Sequence, residues 1–282
     1  MKAKLAMLLT AACLAPVALA APATANVGTD GISTCAIGPL TDAVAAQRER
    51  VITDTIFGLL SAGATESQLA RELSRIGVEN RTQPADPAGT EPMSTPAIIN
   101  VARPQFLYDT CIRRWSIYAR WDFTNIGALG SELGFTPWCG ECDLGGDDAF
   151  GITLSRNVRS VTGYSVGTWG IFSRYPLSYD RMFSVDANVD GVGFRGQDMY
   201  CKENAFTTCG SGDYSFYHGA LTYTIGDIGC GVIQAFSKYG HSWTSSELTG
   251  LSVGPWSIGF QWSNSSRSWE RGSLPSSEVT PC

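Results

Sequence analysis

The stretch CIRRWSIYARWDF, residues 111–123, alternates apolar and polar side chains with a period of two. The apolar set is Trp115, Ile117, Ala119, Trp121 and Phe123, and the polar set is Arg114, Ser116, Tyr118, Arg120 and Asp122. Such alternation is typical of a β-strand that buries one face and exposes the other. Residues 183–189, 221–225 and 256–262 repeat the pattern. We therefore expect residues 97–282 to form a mainly β domain, an antiparallel β-sandwich or barrel.

The residues before this domain show helical rather than strand periodicity. A short helical hairpin is predicted within residues 39–77, and Thr65 with Gln68 three positions later has capping-box spacing at the start of its second helix. Residues 80–96 contain four prolines and few apolar side chains, which indicates a linker. The predicted organisation is a signal peptide (1–25), an N-terminal helical segment (26–79), the linker (80–96) and the β domain (97–282).

The first 25 residues have the pattern of a secretory signal peptide. Lys2 and Lys4 precede an apolar run over residues 5–19, and Ala-x-Ala sites follow at 18–20 and 23–25. Lipid attachment at Cys13 is disfavoured because that residue lies inside the apolar run. No other stretch is long and apolar enough to span a membrane. We expect a secreted, extracellular protein without a transmembrane span.

The amino-acid composition and net charge exclude some classes of protein and of partner. Hydrophobic residues make up 44% of the chain and charged residues only 16%, which excludes intrinsic disorder. The formal net charge of −6 makes this an acidic protein and argues against a nucleic-acid partner.

Cysteine usage predicts a disulfide-stapled domain. An even set of eight cysteines in an exported chain indicates up to four disulfides whose pairing the sequence leaves open; they are Cys35, Cys111, Cys139, Cys142, Cys201, Cys209, Cys230 and Cys282. If the helical segment were a cleaved pro-region, losing Cys35 would leave one thiol unpaired. Cys230, which lies between the two histidines in sequence, would then be a candidate nucleophile.

Catalytic candidates are few because the chain has only two histidines, His218 and His241. A Ser-His-Asp or Cys-His enzyme would need one of them. Glycan cleavage would instead need a pair of carboxylates, with the candidates Glu132, Glu203, Glu247 and Glu270. The CGEC motif at 139–142 and the GYSVG motif at 163–167 lack the following helix that redox and serine-hydrolase chemistry require.

Residues 186–191 resemble the start of a calcium-binding loop. Asp186, Asn188 and Asp190, followed by Gly191, match its first, third, fifth and sixth positions. The twelfth position is Gln197 instead of glutamate, and the local alternation favours an extended strand. A second acidic group, Asp143, Asp147 and Asp148, lies in a glycine-rich stretch. No cofactor is expected, with Ca²⁺ as the alternative.

The polar strand face predicts a binding surface formed by Arg114, Tyr118 and Arg120, with Tyr239 and Trp243 as further contacts. We expect a non-catalytic binding or effector domain that recognises an extracellular surface, either polysaccharide or protein. The alternative is a secreted hydrolase, either a two-Glu glycan hydrolase or a Cys-His enzyme released from a helical pro-region. A third class is a membrane-active toxin that inserts residues 160–172 as a hairpin.

Overall fold

The computed structural model of the protein describes residues 41–82, 98–125, 141–201 and 212–282. The predicted signal peptide, most of the linker, Cys35, Glu132, Cys139, Glu203 and Cys209 lie outside the described residues. Among the helices of the described ranges, none has the length and apolar character needed to cross a membrane.

Two helices come first, as predicted. They are α1 (Asp42–Ser61) and α2 (Glu66–Arg75). Thr41 caps α1 by accepting a hydrogen bond from the backbone N–H of Val44, and Thr65 and Gln68 form the predicted capping box of α2. Gly63 has a φ of +79°, a conformation that suits glycine and lets the chain reverse after α1.

The remaining elements of the described residues are strands and one short 3₁₀ turn. The strands are β1 (Val78–Asn80), β2 (Ile99–Val101), β3 (Gln105–Asp109), β4 (Arg114–Phe123), β5 (Glu141–Asp143), β6 (Asp148–Leu154), β7 (Ser160–Trp169) and β8 (Phe183–Asn188). They continue with β9 (Gly191–Gly196), β10 (Met199–Cys201), β11 (Asp213–Tyr214), β12 (His218–Asp227), β13 (Ala235–Ser242), β14 (Leu248–Gly254), β15 (Ser257–Trp262) and β16 (Ser268–Gly272).

Two antiparallel sheets face each other, which confirms the predicted sandwich. One has the order β1-β3-β4-β12-β7, with β2 also on β4, and the other has the order β16-β13-β6-β9-β8. The apolar side chains of β4 point into the core between them, where the fully buried Trp121 lies 4.4 Å from Phe150 of the opposite sheet, measured between ring centroids. The alternation of residues 111–123 therefore identifies the core face correctly.

Within the described ranges, both sheets end on the same side of the sandwich, in β7 and β8, and each of these edge strands carries a β-bulge. Thr162 is the extra residue on β7 where it pairs with β12, and Val185 is the extra residue on β8 where it pairs with β9. Bulges of this kind interrupt the regular edge that another strand would need for pairing.

The helical hairpin covers the polar face of β4. Ile52, Ile56 and Phe57 of α1 share a buried apolar cluster with Tyr118 and Trp169. Arg48 of α1 forms a buried ion pair with Asp109 of β3, with an N–O distance of 2.8 Å. The helices therefore share a core with the sheet.

This packing corrects the prediction that the polar face of β4 is open. Tyr118 is only 2% exposed and donates a hydrogen bond to Glu66 of α2. Arg120 lies 3.2 Å from Glu66, and Arg114 donates to Glu49 of α1 over 2.6 Å. These three side chains hold the hairpin on the sheet, because a strand's polar face satisfies hydrogen bonds with a second layer as readily as with solvent.

The disulfide prediction is confirmed for every cysteine of the described residues. Cys230 pairs with Cys282, and Cys111, Cys142 and Cys201 are also disulfide-bonded. Cys230 is therefore wrong as a catalytic candidate, because a sulfur held in a disulfide has no thiolate to attack a substrate.

Candidate functional site

A surface groove runs between α1 and the outer face of the sheet, with a volume of about 430 Å³. We call it the α1 groove. Helix α1 forms one wall of the groove, strands β7 and β12 form the other, and the loop after β7 contributes Tyr179. The lining residues are Ala46, Glu49, Arg50, Thr53, Asp54, Thr162, Gly163, Tyr164, Ser165, Tyr179, Thr222 and Thr224. Its walls therefore come from segments more than a hundred positions apart.

Two tyrosine rings are exposed in this groove. Tyr164 is 45% exposed and Tyr179 is 40% exposed. Tyr179 stacks on Phe57 of α1 at a centroid distance of 5.6 Å, and Tyr164 meets Phe194 edge-on at 5.8 Å. Because each ring is supported on one side, the other side is a preformed apolar platform.

Hydrogen bonds hold the polar side chains of the groove in place. Glu49 accepts hydrogen bonds from Arg114 over 2.6 Å and from Thr162 over 3.0 Å. The hydroxyls of Thr53 and Thr222 lie 3.2 Å apart, bridging α1 and β12. These contacts order the donors and acceptors before any ligand arrives, which lowers the entropic cost of binding.

Tyr179 also contributes a hydroxyl to the groove. It donates to Asp54 over 3.0 Å. Burial, followed by this hydrogen bond and the charge of Asp54, raises the pKa of Tyr179 above its ordinary value. The phenol is therefore protonated, and a donor, throughout the physiological range.

A second group of chemically active residues lies inside the sandwich. Asp148, Asp198 and His241 each have no solvent exposure, and their ligand-type atoms lie within 4.8 Å of one another. Asp148 accepts hydrogen bonds from the hydroxyls of Tyr214 and Tyr239, over 2.9 and 2.5 Å. His241 Nδ1 lies 2.8 Å from Asp148 Oδ1.

The hydroxyl of Tyr214 lies between the two carboxyl groups of this cluster, 2.9 Å from Asp148 Oδ2 and 2.7 Å from Asp198 Oδ2. It has one proton to donate, so a proton on one of the carboxyl groups allows both contacts to be hydrogen bonds. Burial and the neighbouring Asp148 carboxylate raise the pKa of Asp198 well above its ordinary value, with His241 acting in the opposite direction.

Two residues of this cluster, His241 and Tyr239, are predicted from the sequence to have other roles. His241 was a catalytic candidate, and Tyr239 was a binding candidate. Both are fully buried, so neither meets a ligand at the surface. Trp243 is half-buried and stacks on His241 at 6.0 Å.

The other catalytic candidates are scattered. His218 Nδ1 lies 2.8 Å from Asp122 Oδ1 across β4 and β12, and the imidazole stacks on Trp169. Glu247 is exposed beside Asp147, whereas Glu270 pairs with Lys238. None of these candidates lines the α1 groove.

The predicted calcium ligands lie on β8 and the following turn. Asp186 accepts hydrogen bonds from the Asn188 amide over 3.0 Å and from the backbone N–H of Val253 over 2.7 Å. Asn188 Oδ1 accepts from the backbone N–H of Asp190 over 2.7 Å. In these contacts Asp186 and Asn188 tie β8 to β14 and shape the turn.

Tyr164 and Tyr179 were not among the predicted binding residues. Tyr164 lies in the GYSVG stretch, whose sequence suggests a catalytic motif or part of an inserting hairpin, and Tyr179 lies outside any periodic segment. Their shared location depends on the docking of α1, for which a single sequence carries no local signal.

Comparison with known proteins adds little. No family model matches the chain, and a search of the curated proteins found no match. Among solved structures, the chain is similar to the NetB toxin of Clostridium perfringens in its membrane-inserted form, at 10% identity and a TM-score of 0.27. That match covers 62% of this chain and 92% of the toxin chain. Similarity this low supports no argument about fold or function.

Proposed function

We propose that this protein is a secreted, non-catalytic binding protein that holds an extracellular polysaccharide in the α1 groove. The observation that carries the proposal is the pair of exposed, supported tyrosine rings, Tyr164 and Tyr179, in a groove lined by fixed hydroxyl and carboxylate groups. This composition matches a sugar chain, whose rings combine apolar faces with many hydroxyls.

The physical basis is complementarity to both surfaces of a sugar. A tyrosine ring offers a large, rigid apolar face at little entropic cost. Glu49, Asp54 and the threonine hydroxyls supply acceptors and donors at set positions, which provide orientation and specificity. The net charge of −6 favours an uncharged chain over an acidic one.

Binding is favoured over the hydrolase alternative by the position of the histidines. The chain has two, and His241 is fully buried while His218 lies outside the α1 groove. The two groove carboxylates are engaged by Arg114 and Thr162 in the case of Glu49 and by Tyr179 in the case of Asp54. Held this way, they serve as hydrogen-bond acceptors for a ligand.

The proposal is tested on an array of immobilised neutral and acidic polysaccharides. We expect wild-type protein to bind a neutral polysaccharide and Tyr164→Ala to weaken that binding about tenfold, equivalent to ~1.4 kcal/mol. Phe172→Ala is the matched control, because Phe172 is 46% exposed, close to the 45% of Tyr164, but does not line the groove. Equal binding by all three proteins, or no wild-type binding to any polysaccharide, would contradict the proposal.

A further inference from the structure

A second depression adjoins the α1 groove on the far side of β7. It lies between the two edge strands, has a volume of about 360 Å³ and is lined by Val161, Thr162, Gly163, Tyr164, Ala187, Asn188 and Val189. We call it the β7–β8 cleft. Thr162, Gly163 and Tyr164 line both depressions. The two therefore meet along the first half of β7.

Gly163 leaves the crossing point open. A Cβ atom built on this residue would have only Glu49 Oε2 within 4 Å, at 3.8 Å. A larger side chain would fit at this position. Because glycine has none, the surface of β7 that separates the two depressions is low here. An extended ligand can pass over β7 at this point from one depression to the other.

The chemistry of the cleft differs from that of the groove. Val161, Ala187 and Val189 supply apolar surface, and among the described residues no charged side chain lines the cleft. The Asn188 amide group is already used, since it donates to Asp186 over 3.0 Å and to the carbonyl of Val253 over 3.1 Å. The cleft therefore suits an uncharged group with an apolar part.

The edge of β7 adds backbone polarity beside this apolar surface. In the described part of the chain, the first half of β7 pairs with β12 alone, so its other edge presents unpaired N–H and C=O groups. An acetamido group combines a methyl with one amide N–H and one C=O. It complements both the apolar wall and the strand edge.

We infer that the ligand is a linear, N-acetylated, uncharged polysaccharide that crosses β7 at Gly163 and fills both the α1 groove and the β7–β8 cleft. This inference rests on the proposed function and specifies its substrate class. The sugar rings stack on Tyr164 and Tyr179, and acetamido groups enter the cleft. Affinity therefore increases with chain length until both depressions are filled.

An extended peptide is the competing ligand, because it also pairs with strand edges. Strand addition needs several consecutive residues in regular register. The bulges at Thr162 of β7 and Val185 of β8 interrupt that register beside the cleft. The edge geometry therefore favours a saccharide.

The test is calorimetric titration of the full chain with β-1,4-linked N-acetylglucosamine oligomers of two and six units. We expect the hexamer to bind at least tenfold more tightly than the dimer. Ala187→Phe fills the cleft from an exposed position, and we expect it to reduce hexamer affinity about tenfold while dimer affinity stays unchanged. Val185→Phe is the matched control, because it adds the same ring to the same strand at a 44% exposed residue outside the cleft lining.

The outcomes separate this inference from the proposed function. Equal affinity for both oligomers, or an unchanged hexamer affinity in Ala187→Phe, overturns the crossing but leaves Tyr164-dependent binding in place. Cellohexaose binding as tightly as the acetylated hexamer overturns the assignment of the acetamido group. Binding of a capped valine-threonine hexapeptide without saccharide binding overturns the ligand class. Absence of any Tyr164-dependent saccharide binding overturns the proposed function as well.

Discussion

Asp148 lies at the centre of the sandwich core and accepts hydrogen bonds from two tyrosines and from the backbone N–H of Ser242. Buried carboxylates are costly unless they are neutralised or hydrogen-bonded. Here Asp148 is hydrogen-bonded, and burial beside the Asp148 carboxylate raises the pKa of its neighbour Asp198 well above the ordinary value. The raised pKa of Asp198 makes the stability of the protein depend on pH.

We expect Asp198→Asn to be more stable than wild type at neutral pH and similar to it near pH 4. An unfolded aspartate titrates near ~3.9, whereas burial raises the pKa of the folded Asp198 well above that value. The folded state therefore binds the proton more tightly, and its stabilisation is lost as pH rises from ~4 towards the folded pKa, by at most ~1.4 kcal/mol per pH unit. The asparagine amide has both a donor and an acceptor for the Tyr214 hydroxyl and does not titrate.

Urea unfolding from pH 4 to pH 8 measures this difference. The free energies of unfolding of wild type and Asp198→Asn should diverge as pH rises. Asp180→Asn serves as the control, because it neutralises an exposed carboxylate and should run parallel to wild type. Parallel curves for Asp198→Asn would show that Asp198 does not carry a buried proton.

At the scale of the elements, α1 and its C-terminal turn contain two glycines with opposite requirements. Gly58 lies in α1, whereas Gly63 follows it with a φ of +79°. At both positions a Cβ atom would meet no described atom within 4 Å apart from its chain neighbours and, for Gly58, the backbone of its own helix, so backbone conformation is what distinguishes them. We expect Gly58→Ala to raise the free energy of unfolding by ~1 kcal/mol through helix propensity. Gly63→Ala should lower it by ~1 kcal/mol through left-handed strain.

Thermal and urea unfolding of the two variants supply the measurement. Each variant is the control for the other, because both replace one glycine by one alanine where a Cβ atom has room. A stabilised Gly63→Ala, or a destabilised Gly58→Ala, would contradict the assigned end of the helix.

The same elements show what local sequence predicts. The capping box at Thr65 and the alternation of residues 111–123 depend on neighbouring positions, so helix start, strand and core face follow from the sequence. Whether the opposite face of β4 meets water or a second layer depends on the distant helical hairpin. The sequence therefore predicts a binding surface at Tyr118 and Arg120, although both contact Glu66 of α2.

At the scale of the whole molecule, the same docking creates the candidate site. The α1 groove exists only because α1 lies across β7 and β12, so its residues share no spacing in the chain. The acidic stretch around residues 143–148 identifies Asp148 from the sequence, but Tyr214, Tyr239 and Asp198 join it only through the packing of β6, β11, β13 and the β9–β10 connection. Site geometry of this kind follows from tertiary contacts, which periodicity does not encode.

The buried ion pair between Arg48 and Asp109 offers a direct test of how the helical hairpin packs on the sheet. Both side chains are nearly inaccessible, at 7% and 4% exposure, and Arg48 also donates to the carbonyl of Ile76 after α2. Removing one partner leaves the other charge buried and uncompensated, at a cost of about 3–5 kcal/mol. We therefore expect Arg48→Met to lower the free energy of unfolding by that amount, and Arg48→Met with Asp109→Leu to recover most of it. Urea unfolding of both variants and of Asp109→Leu completes the double-mutant cycle, and additive losses would show that the pair does not couple hairpin to sheet.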